Sequence, residues 1–258
     1  MRVDPAARGD MSQIEAFERH QDAVRKLDSQ GYSCNSESML REYHRRNSFG
    51  LPPDKVIHRI FQEDFFQKDV SDGYLTLPKA SASVWRDLLE NPLSAVKDLD
   101  VVTGSNIHLG ALVSSFYALC WTGRPDPLAT DWSNFSYGKK SVRISTTVGK
   151  LMDRMMHIND PCYMHRAWLI DVSYKDPALI QAMQNPQGVY QRMDSQGARL
   201  ALSAAVVRAQ YSTEEEVRFL FDASIQPLPD GLIVSSASSL IRIPFDWNGF
   251  IDNKVCGP

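Results

Sequence analysis

The chain has 258 residues, of which 43% are hydrophobic and 23% charged, a composition typical of a soluble globular protein with a sizeable core. Its formal net charge of -3 predicts no broad attraction to nucleic acid or to anionic membranes. The longest apolar stretch, residues 109–121, is too short to span a bilayer, and the first residues contain no apolar signal core. We therefore expect a cytoplasmic protein, or one delivered into a target cell by a specialised secretion system.

Four cysteines occur, and they form no C-x-x-C pair and accompany no histidines at zinc-ligand spacing. The sequence therefore predicts no metal site. Phosphate-binding glycine loops, H-E-x-x-H and G-x-S-x-G are also missing from the sequence, which argues against P-loop enzymes, zinc proteases and α/β-hydrolases.

The first 53 residues predict a helical N-terminal extension. Residues 10–28 place apolar side chains on one helical stripe, and residues 33–50 are polar and basic. The sequence Gly50-Leu-Pro-Pro53 is a boundary signal. The basic cluster between Arg41 and Arg46 is expected either to form a solvated helix face or to contact a phosphate or an acidic partner.

Residues 54–258 predict one main domain in which strands and helices are mixed. Strands are predicted at residues 55–60, 74–77, 114–122, 141–144, 167–174, 216–222, 231–235, 239–243 and 250–256. Helices are predicted at residues 61–68, 83–98, 147–157, 176–184 and 196–210, with Ser145 or Thr146 capping the helix at 147. Because regular helical crossovers do not join the strands, we expect an α+β fold.

An acidic segment carries the strongest functional signal. Glu214, Glu215 and Glu216 run into a strand in which apolar residues alternate, with one face expected to be buried. Glu214 and Glu216 point to the same side if the strand already runs through them. Such a pair can hold a ribose hydroxyl or stabilise a positive transition state, whereas a solvated turn or an ion pair with Arg218 favours a structural role.

Several blocks of the chain resemble a known bacterial family. They are Cys120-Trp-Thr, Asp131-Trp-Ser-x-Phe-x-Tyr-Gly138, Ser141-Val-Arg-Ile144, Glu214-Glu-Glu-Val-Arg-Phe219 and the closing Phe250–Pro258 segment. Over residues 55–258 the order of these blocks is similar to that of the family known as domain of unknown function 2971. That family carries little established function.

The chain also resembles, more distantly, the ADP-ribosyltransferase superfamily. The resemblance implies a mostly antiparallel, strand-rich domain with split sheets, and it implies NAD as the substrate. The matching positions are His58-Arg59 on the first strand, Ser145-Thr146-Thr147 in the second motif and Glu214-x-Glu216 in the third.

The roles implied by this resemblance differ between the motifs. Glu216 would stabilise positive charge on the ribose, and Glu214 would orient or deprotonate the acceptor. His58 and Arg59 would hold the diphosphate or ribose. The hydroxyls of residues 145–147 would orient the nicotinamide ribose, unless they only cap a helix.

Two further features remain open in the sequence. Another branch of the superfamily uses a His, a Tyr and a Glu, for which His58, Tyr74 and Glu216 would serve. Trp132 and Tyr137 are expected to be either core residues or a stacking platform.

The favoured hypothesis is an NAD-dependent mono-ADP-ribosyltransferase that modifies a protein or nucleic acid, as a toxin or a delivered effector. The alternative is a non-catalytic protein- or RNA-binding module on a related scaffold. A third hypothesis is a hydrolase or nuclease that uses the acidic cluster and a divalent metal. The acceptor and the oligomeric state stay open.

Overall fold

The structure, a computed structural model, describes residues 5–85, 87, 89, 93, 96–99, 103–136, 138–157, 159–184, 193–235, 237 and 239–257. Its helices are α1 (Pro5–Ser29), α2 (Glu37–Asn47), α3 (Glu63–Asp72), α4 (Ala82–Trp85), α5 (Gly110–Val113), α6 (Ala129–Ser136), α7 (Val148–Met155), α8 (Tyr163–Arg166), α9 (Pro177–Met183), α10 (Ala198–Ser203) and a 3-10 helix (Ala209–Glu214). Its strands are β1 (Val56–Gln62), β2 (Tyr74–Pro78), β3 (Lys97–Leu99), β4 (Asn106–His108), β5 (Phe116–Thr122), β6 (Ser141–Thr147), β7 (Ala167–Asp171), β8 (Ser173–Lys175), β9 (Val206–Arg208), β10 (Glu216–Asp222), β11 (Ile233–Val234), β12 (Leu240–Pro244) and β13 (Asn253–Cys256).

The main sheet has six strands in the order β13-β6-β1-β5-β10-β7, and every neighbouring pair is antiparallel. A second antiparallel sheet has the order β11-β12-β2. Two strand pairs complete the described sheets, β3 with β4 and the parallel pair β8 with β9. Helices and antiparallel sheets in one chain confirm the predicted α+β class.

Strand β10 lies at the centre of the apolar packing. Val217, Phe219 and Phe221 belong to one hydrophobic cluster, whereas Leu220 on the opposite face belongs to a second cluster. All seven residues of the strand are buried. The prediction that only one face of this strand is buried is therefore wrong, because helices and loops cover both faces of the sheet.

One edge of strand β5 contacts two different strands, β1 at one end and the residue after β2 at the other. The opposite edge of β5 pairs with β10 along the whole strand. On the shared edge, Thr122 at one end lies opposite His58 of β1, whereas Tyr117 near the other end forms a bridge with Lys79, directly after β2. Strands β1 and β2 therefore diverge from each other along β5, and α3 connects them. The divergence opens a wedge-shaped cleft in the sheet.

The N-terminal helices pack onto the main domain. The rings of Phe17 and Phe49 lie 6.1 and 6.0 Å from that of Trp168. The buried Asn47 amide donates to the carbonyl of Ala167, at 2.8 Å, where β7 begins. Residues of this segment contribute to both hydrophobic clusters, so α1 and α2 form a packed cap.

The basic cluster of α2 is paired within the protein. Arg41 and Arg45 form ion pairs with acidic residues of the same helix, and the Nδ1 of His44 lies 3.2 Å from the Asp153 carboxylate. Arg46 is only 1% exposed, and its guanidinium lies 4.5 Å from the centre of the Tyr43 ring. Burial lowers the pKa of Arg46 to about 10. The expectation of a solvated basic face is therefore wrong at Arg46.

Two predicted helices differ from the structure. The described part of the predicted helix 83–98 contains only the end of α4 and the start of β3. The predicted helix 196–210 ends with α10 because β-branched Val206 and Val207 continue as β9, paired in parallel with β8. Helix α6 was not predicted. None of the described helices is long and apolar enough to cross a membrane.

Candidate functional site

A row of polar side chains crosses the main sheet beside the cleft. His58 lies opposite Thr122 on one side and Ser145 on the other, and Glu216 lies opposite the same Thr122. Directly opposed residues point to the same face of a sheet. Four strands therefore place Ser145, His58, Thr122 and Glu216 on one face, although these residues are far apart in the chain.

Two adjoining cavities fill the cleft. The smaller has a cavity volume of about 30 Å³, and the larger, a groove between β1 and β2, has one of about 560 Å³. The two cavities share six wall residues, which are Arg59, Ile60, Cys120, Phe135, Glu214 and Glu216. The two cavities are therefore continuous, and together they occupy the cleft where β1 and β2 diverge.

The Glu216 carboxylate is held in a fixed orientation. Its Oε1 accepts a hydrogen bond of 2.7 Å from Nε of Arg218, and the Arg218 guanidinium lies 4.3 Å from the centre of the Trp85 ring. The Glu216 backbone N–H donates to the hydroxyl of Tyr174 at 2.7 Å. The predicted ion pair with Arg218 is thereby confirmed.

Glu214 reaches the cleft from outside the strand. It ends the 3-10 helix, and Glu215 follows with a φ of 45°, in the left-handed region that few non-glycine residues adopt. The Glu214 carbonyl accepts from Oγ1 of Thr122 at 2.5 Å, which fixes the turn. The strand does not run through both acids, yet both half-buried Glu214 and buried Glu216 line the two cavities.

His58 is uncharged at neutral pH. Burial and the Arg143 guanidinium lower its pKa to about 4, and the Asp126 carboxylate opposes this shift only in part. A neutral imidazole carries one donor and one acceptor nitrogen. His58 can therefore hydrogen-bond a hydroxyl, whereas it supplies no positive charge to a diphosphate.

Arg59 supplies a guanidinium at the gap between β1 and β5. It donates to the carbonyl of Cys120 across that gap, and its guanidinium lies 4.9 Å from the centre of the Phe61 ring. Burial raises the pKa of the Cys120 thiol, and the Glu216 carboxylate adds to the effect. The thiol therefore stays protonated in the cleft wall.

Hydrogen bonds and an ion pair from two arginines hold α6 and the loop before it against the smaller cavity. Arg143 donates to the carbonyls of Arg124 and Pro125, both at 2.7 Å. Arg124 forms an ion pair with Asp131 of α6, whose carboxylate also accepts from the N–H of Leu128 at 2.8 Å. These contacts keep α6 against the cleft.

The three residues of the second predicted motif, residues 145–147, have different roles in the structure. Ser145 belongs to the polar row, whereas the fully buried Thr146 faces the opposite side and donates to the Phe250 carbonyl at 2.7 Å. Thr147 is the N-cap of α7, because its hydroxyl accepts from the N–H of Lys150. The prediction that Ser145 or Thr146 caps this helix is therefore wrong.

The first backbone N–H groups of α7 are already hydrogen-bonded to the segment that precedes β1. The N–H of Val148 donates to the Lys55 carbonyl at 3.0 Å, and that of Gly149 donates to the Pro53 carbonyl at 2.8 Å. A phosphate at this helix start would have to displace these bonds. The backbone at α7 therefore offers no ready anion site.

Three other predicted contacts lie away from the cavities or outside the described residues. Tyr74 begins β2 in the second sheet, where Arg242 stacks 4.6 Å from its ring centre. Trp132 packs against Gly257, where a Cβ would lie 2.7 Å from Cε3 of the tryptophan. Neither Tyr74 nor Trp132 lines either cavity. Tyr137 lies outside the residues that the structure describes.

Nine residues that line the smaller cavity were not predicted as site residues. Phe135 on α6 is 42% exposed and lines both cavities, and Trp121 and Arg143 line the smaller one. The sequence signals were the alternation of Arg143 with Val142 and Ile144 and the presence of all three residues in the blocks that resemble the bacterial family. Among the residues that the structure describes, no group of three or more His, Cys, Asp or Glu side chains is arranged to hold a metal ion.

We compared the chain with models of known protein families, with curated proteins and with solved structures, and none of them matched. The family resemblances therefore rest on the sequence motifs alone.

Proposed function

We propose that the chain is an NAD-dependent mono-ADP-ribosyltransferase whose active site is the cleft between β1, β2 and β5. One observation carries the proposal: His58 and Glu216, which are 158 positions apart, lie in one row across three adjacent strands. Glu214 lines the same cleft. The sequence motifs and the sheet register thus favour the same site.

Transfer of ADP-ribose requires cleavage of the bond between nicotinamide and ribose, which develops positive charge on the sugar. A fixed carboxylate lowers the energy of that state most effectively where little water competes. Glu216 is 7% exposed and is oriented by Arg218, so it fits this role. Neutral His58 would bind a ribose hydroxyl, and Arg59 would supply the positive charge near the diphosphate.

The macromolecular acceptor would enter through the larger groove. The groove has a cavity volume of about 560 Å³, which lies within the range of roughly 300–1,000 Å³ that is common for ligand pockets. Half-buried Glu214 faces both cavities and would orient or deprotonate the acceptor group.

A non-catalytic binding module is the second candidate. It is favoured by the ion pair in which Arg218 compensates the charge of Glu216, because such a pair can serve packing alone. Partner binding that survives the combined change Glu214→Ala and Glu216→Ala would support this candidate.

The decisive experiment measures nicotinamide release from NAD, since water can replace an unidentified acceptor. The proteins to compare are the wild type, Glu216→Gln and the matched control Glu18→Gln, which changes an exposed acid on α1. We expect Glu216→Gln to lose release by about a hundredfold or more when assayed well below its melting temperature, which should fall because Arg218 loses its buried partner. Release by Glu216→Gln at the rate of Glu18→Gln would refute the proposal.

A further inference from the structure

Strand β1 has one paired edge and one open edge. At its two ends, the Lys55 carbonyl accepts from the N–H of Val148 at 3.0 Å, and the N–H of Glu63 donates to the Lys140 carbonyl at 2.9 Å. Successive residues of an antiparallel strand direct their backbone groups to opposite edges. The odd-numbered residues of β1 therefore pair with β6, whereas the even-numbered residues direct their N–H and carbonyl groups toward β5 and the cleft.

The edge of β1 that faces β5 loses its partner after a single residue pair. His58 pairs with Thr122, and no further pair between the two strands follows within the described residues. Cys120 would be the next partner, opposite Ile60, but its carbonyl accepts from the Arg59 guanidinium instead. The N–H of Ile60 is thus left without a strand partner in this part of the chain, although Ile60 is only 8% exposed. Buried backbone N–H groups in native proteins almost always have a partner.

The larger groove runs along this open edge. Ile60 and Gln62, the last two even-numbered residues of β1, both line it. Three large apolar side chains of the groove wall are exposed, Phe65 at 62%, Phe135 at 42% and Leu240 at 41%. Exposed apolar side chains that line one groove are typical of a binding surface. The groove therefore offers a ligand both a strand edge and apolar side-chain contacts.

The charges of the groove favour a polypeptide over a nucleic acid. Its wall contains four carboxylates and two guanidinium groups, which belong to Asp69, Asp87, Glu214, Glu216, Arg59 and Arg218. Binding of a phosphate backbone requires an excess of basic groups, which this wall does not provide. A peptide backbone is uncharged, and in the extended conformation it presents N–H and carbonyl groups at the spacing of a strand edge.

We infer that the larger groove binds an extended segment of a protein, which adds to the open edge of β1 as a further strand. The segment exchanges hydrogen bonds with the N–H and carbonyl groups of Ile60, and its side chains contact Phe65, Phe135 and Leu240. The inference rests on the proposed function in one respect, because it identifies this segment as part of the macromolecule that is modified beside Glu214.

Selection of peptides against the full chain tests the inference. Short random peptides displayed on phage are selected on the wild type, and their affinities for Phe135→Ser and Leu179→Ser are then compared. Leu179→Ser is the matched control, because Leu179 is 45% exposed on α9 and lines neither cavity. We expect peptides that bind Phe135→Ser about tenfold more weakly than they bind Leu179→Ser, since Phe135 loses its apolar contact.

N-methylation of such a peptide shows whether it pairs as a strand. Each of its residues is N-methylated in turn, and the affinity for the wild-type protein is measured by calorimetry, so the result does not depend on the folding of a variant. Alternate N–H groups of a strand face one edge. Methylation should therefore weaken binding by about tenfold at two residues that are two positions apart, and have little effect at the residue between them.

Three outcomes would overturn the inference. They are the absence of this alternation, the absence of any peptide that distinguishes Phe135→Ser from Leu179→Ser, and binding of single-stranded oligouridylate to Leu179→Ser but not to Phe135→Ser. The last result would make the groove a nucleic-acid site.

The inference and the proposed function can fail separately. Glu216-dependent release of nicotinamide from NAD, without alternating effects of peptide methylation, would refute only the addition of a strand. Strand-like peptide binding without any release of nicotinamide would instead support the groove as a peptide site and refute the transferase.

Discussion

The Glu216 carboxylate and the Arg218 guanidinium form a buried ion pair, 2.7 Å long, on one face of β10. Residues two apart in a strand share a face, so the strand itself brings the two charges together. Arg218 is 1% exposed and also donates to the Ala204 carbonyl at 3.0 Å. The pair fixes the carboxylate that the proposed reaction needs, and it makes the site dependent on both partners.

Removal of Arg218 should destabilise the protein strongly. Arg218→Met leaves the Glu216 carboxylate buried without its cation, which typically costs about 3–5 kcal/mol in the free energy of unfolding. The double variant Glu216→Gln with Arg218→Met removes the uncompensated charge and should recover part of that loss. Urea unfolding of the wild type, both single variants and the double variant measures the coupling.

An exposed ion pair provides the control for this double-variant comparison. Arg25→Met breaks the exposed ion pair with Asp22 and should change stability little, because water screens exposed pairs. If the losses in the free energy of unfolding caused by the two single changes simply add up in the double variant, the charges of Glu216 and Arg218 are not coupled and the prediction is contradicted.

His58 should make stability fall in mild acid. Its pKa is about 4 in the folded protein and about 6.5 in the unfolded chain. Between these pKa values the unfolded chain binds the extra proton, so the free energy of unfolding decreases as the pH falls through this window. Above pH 6.5 His58 is neutral in both the folded and the unfolded chain, so its contribution to the free energy of unfolding no longer changes with pH. His58→Gln should remove this part of the pH dependence, measured by urea unfolding between pH 4 and 7.

His157→Gln is the matched control for that experiment. His157 is exposed on the loop after α7, so its variant separates the loss of a buried imidazole from the loss of a histidine as such. Equal slopes for the wild type and His58→Gln would contradict the prediction and the neutral state of His58.

The sequence could predict strands more readily than the site they form. The alternation of Val142, Ile144 and their neighbours indicates β6, and the acidic motif indicates Glu216. The alignment of His58 with Ser145 and Thr122 depends on strand register, which distant turns and packing determine. The cleft exists because β1 and β2 diverge along β5, and no local pattern encodes that divergence.

Thr146 should affect stability rather than NAD binding. Its hydroxyl donates to the Phe250 carbonyl on the face away from the polar row. Thr146→Val preserves the branched shape and leaves a buried carbonyl without this donor, which costs about 1–3 kcal/mol. Urea unfolding should detect this loss, while calorimetry should give an unchanged affinity for NAD. Weaker NAD binding at unchanged stability would instead support the role that the superfamily resemblance implies.

Asn47 should be essential for attaching the N-terminal helices to the main domain. Its amide donates to the carbonyls of Met164 and Ala167, at 3.1 and 2.8 Å, and the residue is fully buried. Asn47→Ala removes both bonds and also the side-chain oxygen that accepts from Nε of the buried Arg46, although Arg46 still donates to the Met164 carbonyl, so the free energy of unfolding should fall by about 2–4 kcal/mol. Asn35→Ala, at an exposed position before α2, is the matched control and should have little effect. Because both hydrophobic clusters include residues of α1 and one of them also includes residues of α2, we expect a single unfolding transition for the wild type. An early, separate transition of the N-terminal helices, or equal stability of the two variants, would show that this segment is an independent arm.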